Sequence, residues 1–285
     1  MQGKTRRFIY LFLIISLIFP LTTGYTLKPA PSSSVDMFFN KVDSLEDTGY
    51  AFIALDFGPQ SKAENLYQAK VVIEHLMRKR IPIILFSMYT LAEPILESLA
   101  FEVANNLQKE IDGEYWEYGK DWINLGFRPG ASLLLQAIPK SKNLQKLFSK
   151  DSKGNDLKDF PRFDALRTIN DIIFLGQFTS LTGVLDTYLQ FFKAKDYRPV
   201  FGHGCSSITI PESHIYLDSG QIDGLIGGIA GASAYEELLN NKYDKRNNKE
   251  ASVLNTGVGV AQLLIVILII LGNINFTKLK KYLVK

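Results

Sequence analysis

Cysteine and histidine are scarce in this sequence, which limits the sites that could depend on them. Cys205 is the only cysteine, and there are three histidines among 285 residues. An internal disulfide needs two cysteines, and structural zinc sites usually combine several cysteine and histidine ligands. The sequence therefore has no internal disulfide and no cysteine-based zinc motif, and we expect no bound metal and no cofactor.

Several motifs that would announce a function are also missing. No G-x-G-x-x-G follows the first apolar run, and the sequence has neither a G-x-x-x-x-G-K-[ST] P-loop nor a G-x-S-x-G elbow. These absences disfavour a dinucleotide, a P-loop nucleotide and an ordinary α/β-hydrolase. The net charge is +3, and the 32 basic residues are dispersed among 29 acidic ones, so we expect no nucleic-acid partner.

The N-terminal segment, residues 1–24, has the layout of a signal peptide or of an uncleaved signal anchor. Lys4, Arg6 and Arg7 precede an apolar run from Phe8 to Pro20, and small residues follow it. The pattern leaves cleavage open. In both cases the basic residues should stay in the cytoplasm, which directs the chain after them outward.

A second apolar segment, residues 257–276, has the length and composition of a transmembrane helix. About 20 residues at 1.5 Å each cover the hydrocarbon core of a bilayer. We interpret residues 242–256 as a polar linker before it and residues 277–285 as a basic cytoplasmic tail. The sequence thus predicts a protein of the cytoplasmic (inner) membrane, in contact with the lipid bilayer, with residues 25–241 on the extracytoplasmic side.

Between the two ends, apolar runs alternate with segments of helical periodicity. The predicted strands are 50–56, 81–87, 122–126, 171–176 and 198–202; the predicted helices are 63–80, 92–108, 131–137 and 183–192. Strands that are apolar throughout require helices on both faces of the sheet and therefore mostly parallel pairing. We expect an α/β domain: a three-layer, mostly parallel, doubly wound sheet of about five strands, Rossmann-like or flavodoxin-like, whose strand order the sequence does not specify.

Two segments do not fit a minimal sandwich of this kind. Residues 139–162 are polar and rich in lysine, which is typical of a solvated excursion or of a lid or partner-facing loop. The small-residue segment from Gly224 to Ala234 predicts a helix with a face that lacks side chains, suited to close packing on the sheet, to a subunit interface or to a ligand loop.

Ligands of open parallel sheets bind outside the carboxyl ends of the strands, so the loops there predict a site. These loops supply ten ligand-binding candidates: Asp56, Ser61, Ser87, Thr90, Arg128, Gln177, Thr179, Ser180, His203 and Ser206. Arg128 and free amides at helix N-termini could hold a small anionic ligand, and the hydroxyl side chains could hold a polyhydroxyl one. Capping of helices and turns is the competing interpretation of the same serines and threonines.

Three hypotheses for the function follow. The first is a ligand-binding or accessory module of a membrane system. The second is a hydrolase or transferase that uses Asp56, His203 or Cys205, because a thiol and an imidazole two residues apart on a strand share one side. The third is a structural subunit of a membrane complex, formed with another membrane protein or by self-association. His75, inside the first predicted helix of the domain, is expected at the surface or at its boundary with the core.

Overall fold

A computed structural model describes residues 2–273, which fall into two units. One unit, the α/β domain, comprises Pro29–Asn248; the other comprises the described parts of Met1–Lys28 and Lys249–Lys285. The last three residues of the predicted span, 274–276, and the predicted basic tail, 277–285, lie outside the described residues.

The α/β domain has six strands and eight helices, joined by loops and short 3-10 turns. The strands are β1 (Tyr50–Asp56), β2 (Ile83–Ser87), β3 (Trp122–Phe127), β4 (Ile172–Thr179), β5 (Val200–Cys205) and β6 (Gly224–Gly227). The helices are α2 (Ser33–Asp43), α3 (Lys62–Arg78), α4 (Glu93–Glu110), α5 (Ala131–Ala137), α6 (Leu144–Phe148), α7 (Val184–Phe191), α8 (Ile210–Asp218) and α9 (Gly228–Lys242). The terminal unit contains α1 (Gln2–Thr23) and α10 (Glu250–Asn273).

The strands form one all-parallel sheet in the order β3-β2-β1-β4-β5-β6. All residues of β1 and β2 are buried, as expected for strands that are covered on both faces. The three-layer α/β prediction is therefore confirmed. The order is the one found in Rossmann sheets and differs from the flavodoxin-like order 2-1-3-4-5.

Helices cover the two faces of the sheet. We call them the α3 face, covered by α2, α3, α4 and α9, and the α7 face, covered by α5 to α8. On the α7 face a continuous apolar core includes Phe52, Phe86 and Tyr188. This core also takes in Phe148 and Leu157 from the lysine-rich stretch 139–162. That stretch is thus anchored to the sheet and is not simply a solvated excursion.

The prediction of a helix starting at Gly224 was wrong for its first four residues, which form the edge strand β6, and the expected count of about five strands was one too low. The reason is the close approach of α2. A Cβ atom on Gly224 would lie 2.4 Å from the Phe38 Cα, and one on Gly202 would lie 2.2 Å from the Phe38 ring. The glycines allow α2 to lie directly on the sheet, so the small-residue segment serves packing.

Buried charges on the α3 face are fully paired. The guanidinium of Arg246, just beyond α9, donates from Nε and Nη2 to the Glu74 carboxylate at 2.7 and 2.8 Å. Arg78 bonds the same carboxylate at 2.9 Å and Glu110 at 2.7 and 2.8 Å. These hydrogen bonds and the two positive charges outweigh the burial of Glu74 and lower its pKa. We call these four residues the Glu74 cluster.

The prediction that His75 lies at the surface or at its boundary with the core was wrong, because it is completely buried. Its Nδ1 lies 2.8 Å from the Tyr235 hydroxyl, and its ring stacks on Phe39 with 4.6 Å between the ring centroids. Burial, which disfavours the charged imidazolium, lowers the pKa of His75 to about 3.

In the terminal unit, α10 is long and apolar enough to cross a membrane. Its stretch from Glu250 to Ile270 has 21 residues with a mean hydropathy of 2.4, and only 11% of its most apolar window is buried. The helix starts at Glu250, within the stretch that the sequence suggested as a polar linker. The apolar part of α1 is shorter, Ile9–Thr23.

Candidate ligand-binding site at the carboxyl edge of the sheet

The chain leaves β1 in one direction towards β2 and β3, and β4 to β6 lie on its other side. The carboxyl ends of β1 and β4 therefore mark the switch point, where the crossovers diverge and a crevice normally forms. Strand register brings five of the predicted residues together there on the α7 face: Asp56, Gln177, Thr179, His203 and Cys205. We call these residues, together with Ser87 and Tyr188, the switch-point cluster.

Asp56 is the most heavily bonded member of this cluster. Its carboxylate accepts hydrogen bonds from the Met88 amide at 2.8 Å, the Tyr188 hydroxyl at 2.7 Å and the Ser87 hydroxyl at 3.1 Å. Complete burial raises the pKa of Asp56, and these three donors oppose the rise only in part. Its backbone carbonyl accepts a further bond from the Thr179 hydroxyl at 2.8 Å. The carboxylate is thus held rigidly in a dry environment.

Gln177 lies beside Asp56 and is the unusual member. It has no exposed surface, yet neither its Nε2 nor its Oε1 makes a hydrogen bond of normal geometry to any other residue of 2–273. The amide is close enough to lower the pKa of the Asp56 carboxyl slightly, but it is not aligned with it. A buried amide without partners costs about 1–3 kcal/mol for each unsatisfied group.

His203 and Cys205 follow Gln177 and Thr179 in register on β5. The His203 Nδ1 lies 3.2 Å from the Gln177 carbonyl oxygen, and burial lowers the pKa of His203 to about 4. Burial also raises the pKa of the Cys205 thiol. His203 is therefore neutral at pH 7 and Cys205 is a protonated thiol, so this geometry does not prepare the thiolate that a cysteine nucleophile requires.

The remaining predicted hydroxyl residues are scattered along the same edge. Ser61 precedes α3 on the opposite face and is buried; Ser206 lies after β5, its hydroxyl 3.3 Å from that of Thr209. Thr90 is exposed and Ser180 half-buried in loops. These residues do not join the switch-point cluster.

Arg128 lies apart from the cluster as well. It follows β3, which is three strands from β4, and at about 4.8 Å per strand this is about 14 Å from Gln177. Its guanidinium donates to the Lys150 carbonyl, and its Nε has no partner among the described residues. Burial lowers the pKa of Arg128, and the charge of Asp151 partly counters this.

Three residues that matter for this edge escaped the sequence reasoning. Tyr188 sits inside α7 and donates to Asp56, and no pattern in the sequence distinguishes it from an ordinary core tyrosine. On the α3 face, Gln68 donates to the Cys205 and Gly228 carbonyls at 2.7 and 3.0 Å and accepts from Asn65 at 2.9 Å. Polar residues spaced at three on the buried side of a helix were the available signal.

Unpartnered buried side-chain atoms are concentrated at this one edge. Among the described residues they belong to Ser61, Asn65, Arg128 and Gln177, each of which lies at or just beyond the carboxyl end of a strand. Native proteins leave few such atoms, and each one calls for a partner such as a ligand or an ordered water. The carboxyl edge is therefore the part of the domain best suited to receive a ligand.

Comparison of the chain with protein-family models, with curated proteins and with solved structures gives no match.

Proposed function

We propose that this protein is a membrane-anchored binding module that holds a small polar ligand at the switch-point cluster. The buried amide of Gln177, which lacks partners among the described residues, carries the proposal. A ligand that hydrogen-bonds to this amide would satisfy two polar atoms that otherwise destabilise the folded domain. Binding sites commonly contain groups that lower the stability of the ligand-free protein and contribute to function.

Tyr188 offers a route to the cluster. Besides bonding Asp56, it lines a cavity of about 160 Å³ whose lining includes Lys193 and Arg198 and neither Asp56 nor Gln177. A cavity of about 150 Å³ is large enough to hold a molecule of the size of benzene. Movement of the Tyr188 ring towards this space would uncover Asp56 and Gln177, so the ligand we propose is no larger than a single substituted ring.

The binding experiment uses the full-length protein in mild detergent. Both tryptophans, Trp116 and Trp122, lie in the α/β domain, so their fluorescence reports its thermal unfolding. A panel of small amides, carboxylates, phosphates and polyols is added, and a ligand that binds only the folded state raises the unfolding temperature in proportion to ln(1 + [L]/Kd). We expect a rise for at least one class, and its loss in Gln177→Met.

Two controls make the binding result decisive. Gln60→Met removes an exposed glutamine of the same edge and should leave the ligand response unchanged. A panel without any response in the wild type, or a response of equal size in Gln177→Met, would contradict the proposed site.

We further propose that α10 spans the cytoplasmic membrane and that the α/β domain lies on its extracytoplasmic side. The length and hydropathy of α10 support the span, and Lys4, Arg6 and Arg7 before the apolar part of α1 support the direction. Asn105→Cys on α4 introduces an exposed thiol, whereas Cys205 is buried. A membrane-impermeant maleimide should label this variant in intact cells and leave the wild type unlabelled; labelling only after lysis would reverse the orientation.

A further inference from the structure

The free atoms of Gln177 restrict the kind of ligand that the proposed site can take. A glutamine amide presents a donor (Nε2) and an acceptor (Oε1) side by side in one plane. Both are unpartnered within residues 2–273 and completely buried. We infer that the site selects an uncharged group that itself presents an acceptor and a donor side by side, such as a primary carboxamide or a lactam. This inference rests on the proposed function.

The charge around Gln177 disfavours an anionic ligand. Asp56 lies beside the Gln177 amide, His203 pairs with Gln177 on β5 and is neutral at pH 7, and Arg128 is about 14 Å away at the strand spacing of a sheet. Arg198, in the lining of the cavity beside Tyr188, is already paired with Asp223. A carboxylate or phosphate that bonds the Gln177 amide would therefore be buried beside another acid and a neutral imidazole. Burial of a charge in such surroundings is more unfavourable than hydrogen bonds to one amide can offset.

The hydrogen-bonding capacity of the cluster also disfavours a polyol. Asp56 already accepts three hydrogen bonds, from Met88, Tyr188 and Ser87, and the Thr179 hydroxyl is bonded on both sides, to the Asp56 carbonyl and from the Leu181 amide. Neither polar atom of the Gln177 amide makes a hydrogen bond of normal geometry to the described residues, so this amide can serve a ligand without breaking such a bond. A polyol would bring several hydroxyl groups that remain unsatisfied. A lactam pairs its one N–H and its carbonyl with one glutamine, and a primary carboxamide pairs in the same way with a single N–H left over.

Three probes of nearly equal shape test this selectivity: benzamide, benzoate and methyl benzoate. Their phenyl ring has the size of the Tyr188 ring whose place beside Asp56 it would take, and only benzamide offers a neutral donor and acceptor together. Dissociation constants are measured by ligand-observed NMR on the full-length protein in detergent. We expect benzamide to bind about tenfold more tightly than either of the others, the effect of one to two net hydrogen bonds.

Variants distinguish the selectivity for a carboxamide from the existence of the binding site itself. Gln177→Met should reduce the benzamide preference to less than about twofold, because it removes both the donor and the acceptor of the amide. Gln60→Met, the exposed control, should keep the full preference. Tighter binding of benzoate that still depends on Gln177 would overturn the selectivity while preserving the proposed function. Absence of binding by all three probes, or binding that ignores Gln177, would overturn both.

Discussion

Two buried glutamines on opposite faces of the same sheet end show how differently one residue type can be used. Gln68 on the α3 face satisfies its amide with two carbonyls and an asparagine, whereas Gln177 on the α7 face satisfies neither of its polar atoms within the described chain. Both side chains are completely buried. The α3 face, which also contains the Glu74 cluster, thus uses buried polarity to hold the fold, and the α7 face keeps it available.

The largest expected effect comes from removing a charge on the α3 face, where the buried polar groups are paired. Arg246→Met leaves Glu74 with Arg78 alone and frees a buried carboxylate oxygen, so we expect a loss of about 3–5 kcal/mol in the free energy of unfolding. The exposed neighbour provides the control, since Lys245→Met should change it by less than about 0.5 kcal/mol. Chemical unfolding followed by tryptophan fluorescence measures both, and a cost below about 1 kcal/mol for Arg246→Met would show that the Glu74 cluster does not hold the fold.

The matched glutamine pair tests the comparison most directly. Gln68→Met leaves the Cys205 and Gly228 carbonyls without a donor and should cost about 1–3 kcal/mol. Gln177→Met removes unsatisfied atoms at similar volume and should stabilise the ligand-free protein by up to about 1 kcal/mol. Equal destabilisation by the two substitutions, measured by the same unfolding assay, would mean that ordered water satisfies Gln177 and that the two faces do not differ.

His203 adds a pH dependence to the α7 face. Its folded-state pKa of about 4 lies below the ordinary value of 6.5. Between these pH values His203 is therefore protonated in the unfolded chain and neutral in the folded chain. The free energy of unfolding is therefore not reduced by His203 above pH 6.5. It falls by about 1.4 kcal/mol per pH unit as the pH is lowered towards 4. His75, with a pKa lowered to about 3, acts in the same direction.

Substitution isolates the contribution of His203. In His203→Gln the slope of unfolding free energy between pH 6 and 4.5 should decrease by about 1.4 kcal/mol per unit relative to the wild type. His214→Gln changes an exposed histidine and serves as the control. The difference between variant and wild type cancels other groups such as Asp56, so an unchanged slope in His203→Gln would show that its imidazole is not buried in the folded state.

A further test concerns Gly183 at the start of α7, the helix that contains Tyr188. Gly183, at the N-terminus of this helix, has φ of +77°, and a Cβ there would meet no atom within 4 Å. Gly183→Ala should therefore cost only the backbone strain of about 1–2 kcal/mol, without a steric clash. Thr182→Ala, at the preceding exposed position, is the control in the thermal unfolding assay. A neutral Gly183→Ala would mean that the α7 face readjusts at this turn.

Some strands could be predicted from the sequence because their local residue pattern matches the burial that they have in the folded domain. The bounds of β1, Tyr50–Asp56, follow from an apolar run that ends at a Gly-Pro cluster. β6 was missed because four residues that include two glycines show neither alternation nor β-branched bias. The neighbours that require the glycines are Phe38 of α2 for Gly224, far away in the sequence, and Ile210 of α8 for Gly227. Strand order likewise depends on crossovers that no local pattern encodes.

The candidate site could likewise be predicted only in part from the sequence. The rule that ligands bind at strand ends selected Asp56, Gln177, Thr179 and His203, which register then brought together. The rule could not show that Arg128 is three strands away, that Tyr188 covers Asp56, or that Gln177 rather than its neighbours lacks partners. These are properties of tertiary geometry, and residue type alone does not report them.

The central pairing of β1 with β4 also has a consequence for how the chain folds. β4 pairs with β1 only after α3, β2, α4, β3 and the whole 139–162 stretch have been synthesised. Closing so long a loop carries an entropic cost before any contact compensates it, and such non-local topologies fold slowly. We therefore expect the part of the chain with β1 to β3 to expose the unpaired edge of β1 during synthesis. Until β4 is synthesised, this edge is prone to aggregation, and we expect the chain to depend on chaperones.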